Sequence, residues 1–217
     1  MDKLTYYLFI TEYLCDLTER RVLLGDKNIP RDEKIFSVFE PHTELINRGK
    51  RPLPIEYGHR VLVIEDRKGF IVDYEVMAAG LTDEKILIEV MSRLQKRMNN
   101  RIKSASFDKG FYTPKNVKEL EAIVEVACLP KKGKLSDVAK EREGRPEFIT
   151  ARKRHAGIES AIHALVAGNG LAVCRDKGED GYHRYVGLAI VGRNLQALGT
   201  ILLKKARRKQ IVQRKAA

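Results

Sequence analysis

The chain has 217 residues, 43% of them hydrophobic, which is enough for one good-sized domain with an apolar core. Its 41 Lys and Arg against 29 Asp and Glu leave a formal net charge of +12, which favours a polyanionic partner such as nucleic acid over an acidic small molecule. No stretch approaches the ~18 consecutive apolar residues of a membrane span, and Asp2 stands where a secretory signal is basic, so the sequence predicts a cytoplasmic protein with no membrane partner.

The first third of the chain is predicted to be one helix followed by strands. Leucines and a tyrosine recur at near-helical spacing over residues 4–24, and Gly25 is a natural stop for that helix. An alternating run over residues 34–39 predicts a strand. Two β-rich runs, residues 56–65 and 69–77, are joined by a short polar turn and are expected to pair as antiparallel neighbours.

Helices and strands are predicted to alternate through the middle of the chain. An amphipathic helix over residues 82–98 has Thr82 or Asp83 as its cap. Strands are expected over residues 101–107 and 123–129, and between them lies a helix near residues 117–121 that Pro114 begins.

The last third is predicted to be helical after a charged surface connection. Residues 130–146 are rich in Lys and Gly and show little periodicity, so they are interpreted as a connection that contains a short helix. Two long helices follow, over residues 147–166 and 181–208, with a glycine-rich loop between them.

Asp108 is the first candidate for a functional residue. It directly follows a predicted strand and precedes Gly110, and carboxylates at strand ends point into the crevice where α/β sheets bind ligands. An ordinary aspartate that starts a turn would have the same sequence pattern.

A polar ladder on the helix over residues 147–166 is the second candidate site. His155, Glu159 and His163 are spaced i, i+4 and i+8, which places them along one face; a solvated helix face is the alternative. Zinc binding by both histidines is not expected, because eight residues of helix span about 12 Å. The three cysteines, Cys15, Cys128 and Cys174, lie far apart without CxxC spacing and are predicted to be buried free thiols.

Basic residues near the C-terminus form a candidate DNA-binding segment. They suit a phosphate backbone and would add salt-dependent, sequence-independent affinity, although a solvated terminus is the alternative interpretation. The same two interpretations apply to the basic loop at residues 131–134. The residues assigned to DNA binding are Arg152, Lys153, Arg154, Lys204, Lys205, Arg207 and Arg208.

Six runs spread over nearly the whole chain carry a family resemblance. They are KIFSVFEPHTE at 34–44, GHRV at 58–61, SFDKGF at 106–111, LPKKGK at 129–134, ARKRHAGIESAI at 151–162 and RYVGLAIVGRNL at 184–195. In the same order, these runs resemble the C-terminal part of DDE transposases from bacterial insertion sequences, and six ordered runs are far harder to obtain by chance than any one of them.

The resemblance implies an α/β fold with a ribonuclease-H-like core, in which a mixed sheet is flanked by helices. In such enzymes three carboxylates hold two divalent ions, Mg²⁺ or Mn²⁺, that activate water and then a DNA 3′-hydroxyl. By motif, Asp108 would be the second carboxylate and Glu159 the third, with His155 assisting on the phosphate side. The implied organisation is an N-terminal helix and linker at 1–33, a partial core at 34–203 and a basic tail at 204–217.

This chain departs from the family pattern at three points. The opening strand with the first carboxylate and the N-terminal DNA-binding region have no counterpart, so a core incomplete at its N-terminus is expected. His155 and Val166 stand where many relatives have Arg and Lys. Three hypotheses follow: a metal-dependent strand transferase, a catalytically inactive chain that only binds DNA non-specifically, and a nuclease without strand transfer. Homo-oligomer formation is left open.

Overall fold

The computed structural model describes the backbone of residues 2–49 and 54–216 and the side chains of residues 2–49 and 54–211. Its helices and strands, in chain order, are α1 Lys3–Val22, β1 Glu44–Asn47, β2 Ile55–Gly58, β3 Val61–Glu65, β4 Ile71–Val76, α2 Asp83–Arg97, β5 Ser104–Ser106, a 3₁₀ turn Lys109–Phe111, α3 Pro114–Ile123, β6 Val126–Cys128, α4 Asp137–Gly144, α5 Pro146–His155, α6 Ile158–His163, a π-helical turn Ala164–Gly168 and α7 Gly178–Ala216.

The chain forms two compact units. The first comprises Met1–Val61 and Cys174–Val186, and the second comprises Leu62–Val173 and Gly187–Ala217. The residues assigned above to metal and DNA belong to the second unit.

In the first unit, the predicted N-terminal helix is confirmed as α1. The Asp2 carboxylate caps it by accepting a hydrogen bond from the Thr5 amide at 2.8 Å, and Ile10 and Leu17 form its buried side. Strand β1 pairs antiparallel with β2, with Leu45 opposite Tyr57.

Two strand predictions in this region were wrong. Residues 34–39 form no strand, because Ile35 and Phe36 lie along a groove beside Leu14 of α1 and the segment has no ladder partner. The predicted strand over residues 56–65 is two strands, β2 and β3. Gly58, the last residue of β2, has φ of +138°, a backbone conformation that ordinary side chains rarely adopt, and residues 59–60 separate it from β3.

The core of the second unit lies between α2 and α3. Apolar residues of α2 recur at helical spacing and are buried against α3 and β6; Leu87 and Leu120 are 0% exposed. Both predicted helices are confirmed. Thr82 occupies the N-cap position of α2 without a side-chain capping hydrogen bond. The Thr113 hydroxyl accepts a hydrogen bond from the Asn116 amide at the start of α3, with Pro114 in its first turn as expected.

The sheets in the described residues are smaller than the sequence predicted. Strands β3 and β4 form the predicted hairpin, and β5 pairs parallel with β6, with Ser106 opposite Cys128. Including β1 and β2, the described part of the chain has three separate two-stranded sheets rather than one mixed sheet. The α/β class is therefore confirmed. The predicted single mixed sheet flanked by helices is not found among the described residues, because none of these three strand pairs is hydrogen-bonded to another.

The predicted helix over residues 147–166 is interrupted. Helix α5 ends at His155, where the Gly157 amide bonds three residues back to the Arg154 carbonyl instead of four, and α6 begins at Ile158. A π-helical turn over Ala164–Gly168 follows. The spacing of His155 and Glu159 therefore does not place them on one continuous helix.

Helix α7 confirms the predicted last helix and extends beyond it. Asn194 fixes it to β4: its Oδ1 accepts from the Ile71 amide at 2.8 Å and its Nδ2 donates to the Ile71 carbonyl at 2.9 Å. By length and composition alone, Gly178–Ile211 could cross a bilayer, since an 18-residue window within it has a mean hydropathy of 1.5. This is a weak indication, because helices that pack within a folded protein meet the same criterion.

Candidate functional site

Asp108 lies at the end of β5, as the sequence predicted. The Phe107 amide continues the ladder to the Cys128 carbonyl at 3.0 Å, and Asp108 then starts the 3₁₀ turn. The rings of Phe107 and Phe111 are buried on either side and contact each other, which fixes the backbone here. The Asp108 side chain itself is 76% exposed, so the carboxylate is held at the surface by a rigid support.

Gly110 gives this turn its tight geometry. A Cβ at this position would lie 2.9 Å from Oδ2 of Asp83, closer than real Cβ contacts. The carbonyl of Gly110 also accepts a hydrogen bond from the Lys132 ammonium at 3.4 Å. A lysine of the basic loop thus lies beside the turn that Asp108 begins. Sequence reasoning assigned that loop only a general basic character, because no local pattern shows which turn a lysine will reach.

His155 is brought to Asp108 by the packing of α5. Phe148 and Ala151 of α5 are buried against Cys128 of β6, and this contact directs the C-terminal end of α5 toward the strand ends. The Nε2 atom of His155 lies 3.0 Å from Oδ1 of Asp108. The His155 imidazole is 22% exposed, whereas the Asp108 carboxylate is 76% exposed. Asp108 therefore has one fixed partner, and the rest of its carboxylate faces solvent.

Glu159 is placed differently. It lies in the first turn of α6 and is exposed, and its carboxylate makes no hydrogen bond or ion pair within the described part of the chain. The structure therefore brings Asp108 and His155 together, whereas the polar contacts of the described residues do not join Glu159 to them.

Three basic residues of α5 precede His155 in the sequence. The last turn of α5 consists of Arg152, Lys153, Arg154 and His155. Arg152 is 3.8 Å from the buried carboxylate of Glu143, which leaves its guanidinium half-exposed. Because side chains at a helix C-terminus also face the negative end of the helix dipole, positive charge is favourable here. Lys153 and Arg154 are exposed.

The predicted basic tail begins on α7. Lys204, Lys205, Arg207 and Arg208 are exposed on the helix, as phosphate contacts would require. The side chains of Arg214 and Lys215, which belong to the same predicted tail, lie outside the described residues.

The donor set does not by itself fit the metal centre that the sequence motifs suggest. Carboxylate oxygens suit Mg²⁺, and both Asp108 and Glu159 offer them. Across residues 2–49 and 54–211, however, no three side chains of His, Cys, Asp or Glu come together in a way that could hold a metal ion. Two carboxylates without a third donor are a poor substitute for an octahedral site.

Sequence reasoning missed a polar cluster in the first unit, which we call the histidine chain: Glu40, His42, His59 and Glu44. Nδ1 of His42 lies 2.7 Å from Nε2 of His59, and the nearly parallel rings have centroids 5.0 Å apart. The outer nitrogens reach Glu40 at 3.1 Å and Glu44 at 3.2 Å. A hydrogen bond between two imidazoles requires one nitrogen to carry the proton and the other to lack it.

The histidine chain also anchors the start of α7. The Gly178 amide donates to Oε2 of Glu40 at 2.9 Å, and the Lys177 ammonium lies 3.3 Å from Oε1. The Gly178 bond, then the His42 and Lys177 contacts, hold the pKa of Glu40 below its usual range. The sequence signal was the pairing of FEPHTE with GHR, which the motif comparison quoted without assigning a role.

The sequence profile of the family described as transposase DDE domain matches residues 47–191, a range that contains Asp108, His155 and Glu159. No curated protein and no solved structure matches the chain.

Proposed function

Because the chain belongs to the transposase DDE domain family, we propose that it binds the DNA backbone at the Asp108 and His155 pair and contributes Asp108 and Glu159 to a metal-dependent strand-transfer site. Membership in the family carries the transposase role and DNA as the substrate. The binding surface, the ribonuclease-H-like arrangement of the core and the roles of single residues are the proposal.

One observation carries the proposal. The Asp108 carboxylate is exposed, is fixed by a 3.0 Å contact to His155, and lies beside the cationic last turn of α5. A lone surface aspartate would not bind a phosphodiester, because both are negative. When a carboxylate lies within a positively charged surface, the cations attract the DNA backbone, and the carboxylate can then face a phosphodiester.

Each residue has a distinct proposed role. Lys153 and Arg154 contact phosphate oxygens and give affinity without sequence preference. His155 holds the Asp108 carboxylate in one orientation through Nε2 and, when protonated, can donate to a phosphate oxygen. Lys132 adds positive charge beside the turn that Asp108 begins.

Among the described residues, the proposed metal site has two carboxylate ligands. The family implies Mg²⁺ or Mn²⁺, which would stabilise the entering and leaving oxygens of the phosphodiester, and Asp108 and Glu159 are the residues we propose as its ligands. Because no third donor joins them among the described residues, we assign no step to the ion. The chain alone is expected to bind DNA weakly and to leave it uncut.

Binding is tested by titrating labelled duplexes of unrelated sequence at several salt concentrations. Affinity should fall steeply with salt and hardly depend on sequence. Replacing Lys153 and Arg154 together by Ala should reduce the slope of log affinity against log salt by about 1 to 2, since each phosphate contact contributes roughly 0.9. Lys118→Ala, at an exposed lysine of α3, is the matched control and should change little. Binding that ignores salt would remove the electrostatic basis of the proposal.

Cleavage is tested by incubating the chain with supercoiled plasmid and Mg²⁺ or Mn²⁺. We expect no nicking above the level of the Asp108→Ala variant. Metal-dependent nicking that disappears in Asp108→Ala would show that a complete carboxylate site exists, and the proposal of a silent chain would then be wrong while the role of Asp108 would stand.

A further inference from the structure

The histidine chain contains more hydrogen bonds than two neutral histidines can supply with protons. Three contacts, of 3.1, 2.7 and 3.2 Å, join its members in the order Glu40, His42, His59, Glu44. Each hydrogen bond needs one proton between its two atoms. An ionised carboxylate has no proton to donate, and a neutral imidazole has one. The three bonds therefore need three protons, whereas two neutral rings bring only two.

The two carboxylates at the ends of the chain also have cationic partners outside it. The Lys177 ammonium lies 3.3 Å from Oε1 of Glu40, and the Arg31 guanidinium lies 3.3 Å from Oε2 of Glu44. The Gly178 amide bond, followed by the contacts from the imidazole and the ammonium, holds the pKa of Glu40 below its usual range. Both carboxylates are thus stabilised in the ionised form, so the third proton belongs to the rings.

We propose that His42 and His59 share one extra proton, and that this protonation state closes a latch on the start of α7. The pair then carries one positive charge between two negative ones. A fourth proton would put a hydrogen on each of the two inner nitrogens, which would then repel each other. The latch therefore opens in acid. This goes beyond the proposed function and does not depend on it.

The aromatic ring beside the pair fits a positive charge there. The ring centroid of Tyr182 lies 4.8 Å from that of His59, within the distance at which an aromatic face attracts a cation. Burial, and next the Cys174 thiol, raise the pKa of Tyr182, so the phenol stays neutral and adds no charge of its own. The side chain of His59 is only 9% exposed, so a charge on it depends on the carboxylates for compensation.

The distance between the rings favours a shared proton over a shared metal ion. The 2.7 Å between the inner nitrogens is the length of a hydrogen bond. Two nitrogens on one tetrahedral zinc ion, each about 2.0 to 2.1 Å from it, would lie roughly 3.3 Å apart. A proton fits between the rings as they stand, whereas zinc would have to separate them.

The latch acts through one oxygen atom of Glu40. Its Oε2 accepts the Gly178 amide at 2.9 Å and also lies 3.1 Å from Nε2 of His42. The Tyr182 ring, one turn further along α7, packs against both imidazoles. Repulsion between the rings would move His42 away from this oxygen and disturb the packing of Tyr182, so the contact that holds Gly178 should loosen as well.

NMR of the ring nitrogens counts the protons directly. In the full chain with nitrogen-15-labelled histidine at about neutral pH, both outer nitrogens of the pair should have the shifts of protonated nitrogen, and the two inner nitrogens should share one proton. His183→Gln, at an exposed histidine of α7, is the matched control and should leave these resonances unchanged. A count of two protons on the pair would overturn the proposal.

The opening of the latch is followed through the Gly178 amide resonance. Between about pH 7 and pH 5 it should lose the downfield shift that a hydrogen bond to a carboxylate gives. Protonation of Glu40 does not explain such a loss, because its pKa lies below its usual range. The Lys131 amide, which donates to Glu143 at 2.7 Å in the second unit, is the control and should not move.

His42→Gln separates proton sharing from shape. Glutamine keeps a donor toward Glu40 but has no second ring nitrogen for His59, so the pH-dependent change at Gly178 should disappear. Three results would overturn the proposal: a change that persists in His42→Gln, a Lys131 amide that moves together with that of Gly178, and Zn²⁺ that shifts both ring resonances when added in equal amount. If His42→Gln fails to fold, the proton count on the natural chain still decides.

Discussion

The apolar core of the second unit and the histidine chain of the first are stabilised by different forces. Around α2, Leu87 and Leu120 are wholly buried among other apolar side chains, and their contribution depends on shape and on area removed from water. In the histidine chain, three consecutive polar contacts depend on where protons are. One region should therefore respond to side-chain volume, and the other to pH.

The largest expected effect is in the apolar core. Leu87→Ala removes a side chain that is 0% exposed and leaves a cavity between α2 and α3, which should lower the free energy of unfolding by about 2 to 5 kcal/mol. Urea unfolding at neutral pH measures it. Leu203→Ala, at a leucine that is 62% exposed, should change the same quantity by less than about 0.5 kcal/mol. Equal losses would mean that α2 is not the centre of the core.

The next effect concerns a polar group within that core. Asn116 is 5% exposed, and its Nδ2 donates to the carbonyls of Glu84 at 2.7 Å and Phe111 at 2.9 Å. Asn116→Ala leaves both carbonyls without this donor and should cost about 1 to 3 kcal/mol in urea unfolding. The exposed neighbour Lys115→Ala is the control. A neutral result for Asn116→Ala would show that water replaces the amide.

The sequence predicted the elements whose signals are local. Helix α2 follows from apolar spacing, and α3 from Thr113 and Pro114 at its start. The strand predicted over residues 34–39 was wrong, because a segment becomes a strand only if another segment pairs with it. The alternating residues Ile35 and Phe36 pack beside α1 instead, and the strand that pairs with β2 is Glu44–Asn47. Local pattern cannot distinguish these cases.

The candidate site was predictable in part for the same reason. Asp108 at a strand end follows from the strand pattern and from the SFDKGF motif. Its contact with His155 depends on how α5 packs on β6, and the position of Lys132 depends on the path of a loop. The interruption between His155 and Ile158 has no strong breaker except Gly157, so the sequence predicted one continuous helix there.

A pH series on Glu40 distinguishes the histidine chain from the apolar core. Because its pKa is lowered in the folded protein, the ionised carboxylate adds stability at neutral pH that is lost as the pH falls below about 4. Glu40→Gln should therefore be less stable than the natural chain at pH 7, with the difference shrinking in acid, whereas the deficit of Leu87→Ala should persist. Unfolding at several pH values measures both.

The matched control is Glu56→Gln, at a half-exposed carboxylate of β2 that pairs with Arg48, the residue after β1. It should show little difference at either end of the pH range, because exposed pairs contribute little. If Glu40→Gln kept the same deficit at pH 3 as at pH 7, the Glu40 contacts would act through shape rather than charge, and the contrast between the two regions would disappear.

The smallest expected effect on stability is at the Asp108 and His155 pair. This pair belongs neither to the apolar core nor to the histidine chain. The Asp108 carboxylate is 76% exposed, so its contact with His155 is screened by water and His155→Ala should change the free energy of unfolding by less than about 1 kcal/mol. Lys153→Ala, two residues earlier on the same helix, is the control for any change in α5 itself.

The same two variants, His155→Ala and Lys153→Ala, should both weaken DNA binding, because each removes a proposed phosphate donor. A loss of stability in His155→Ala as large as that of Asn116→Ala would instead make the pair part of the support of β5. A site that faces DNA must remain open to solvent, so it cannot also carry the stability of the fold.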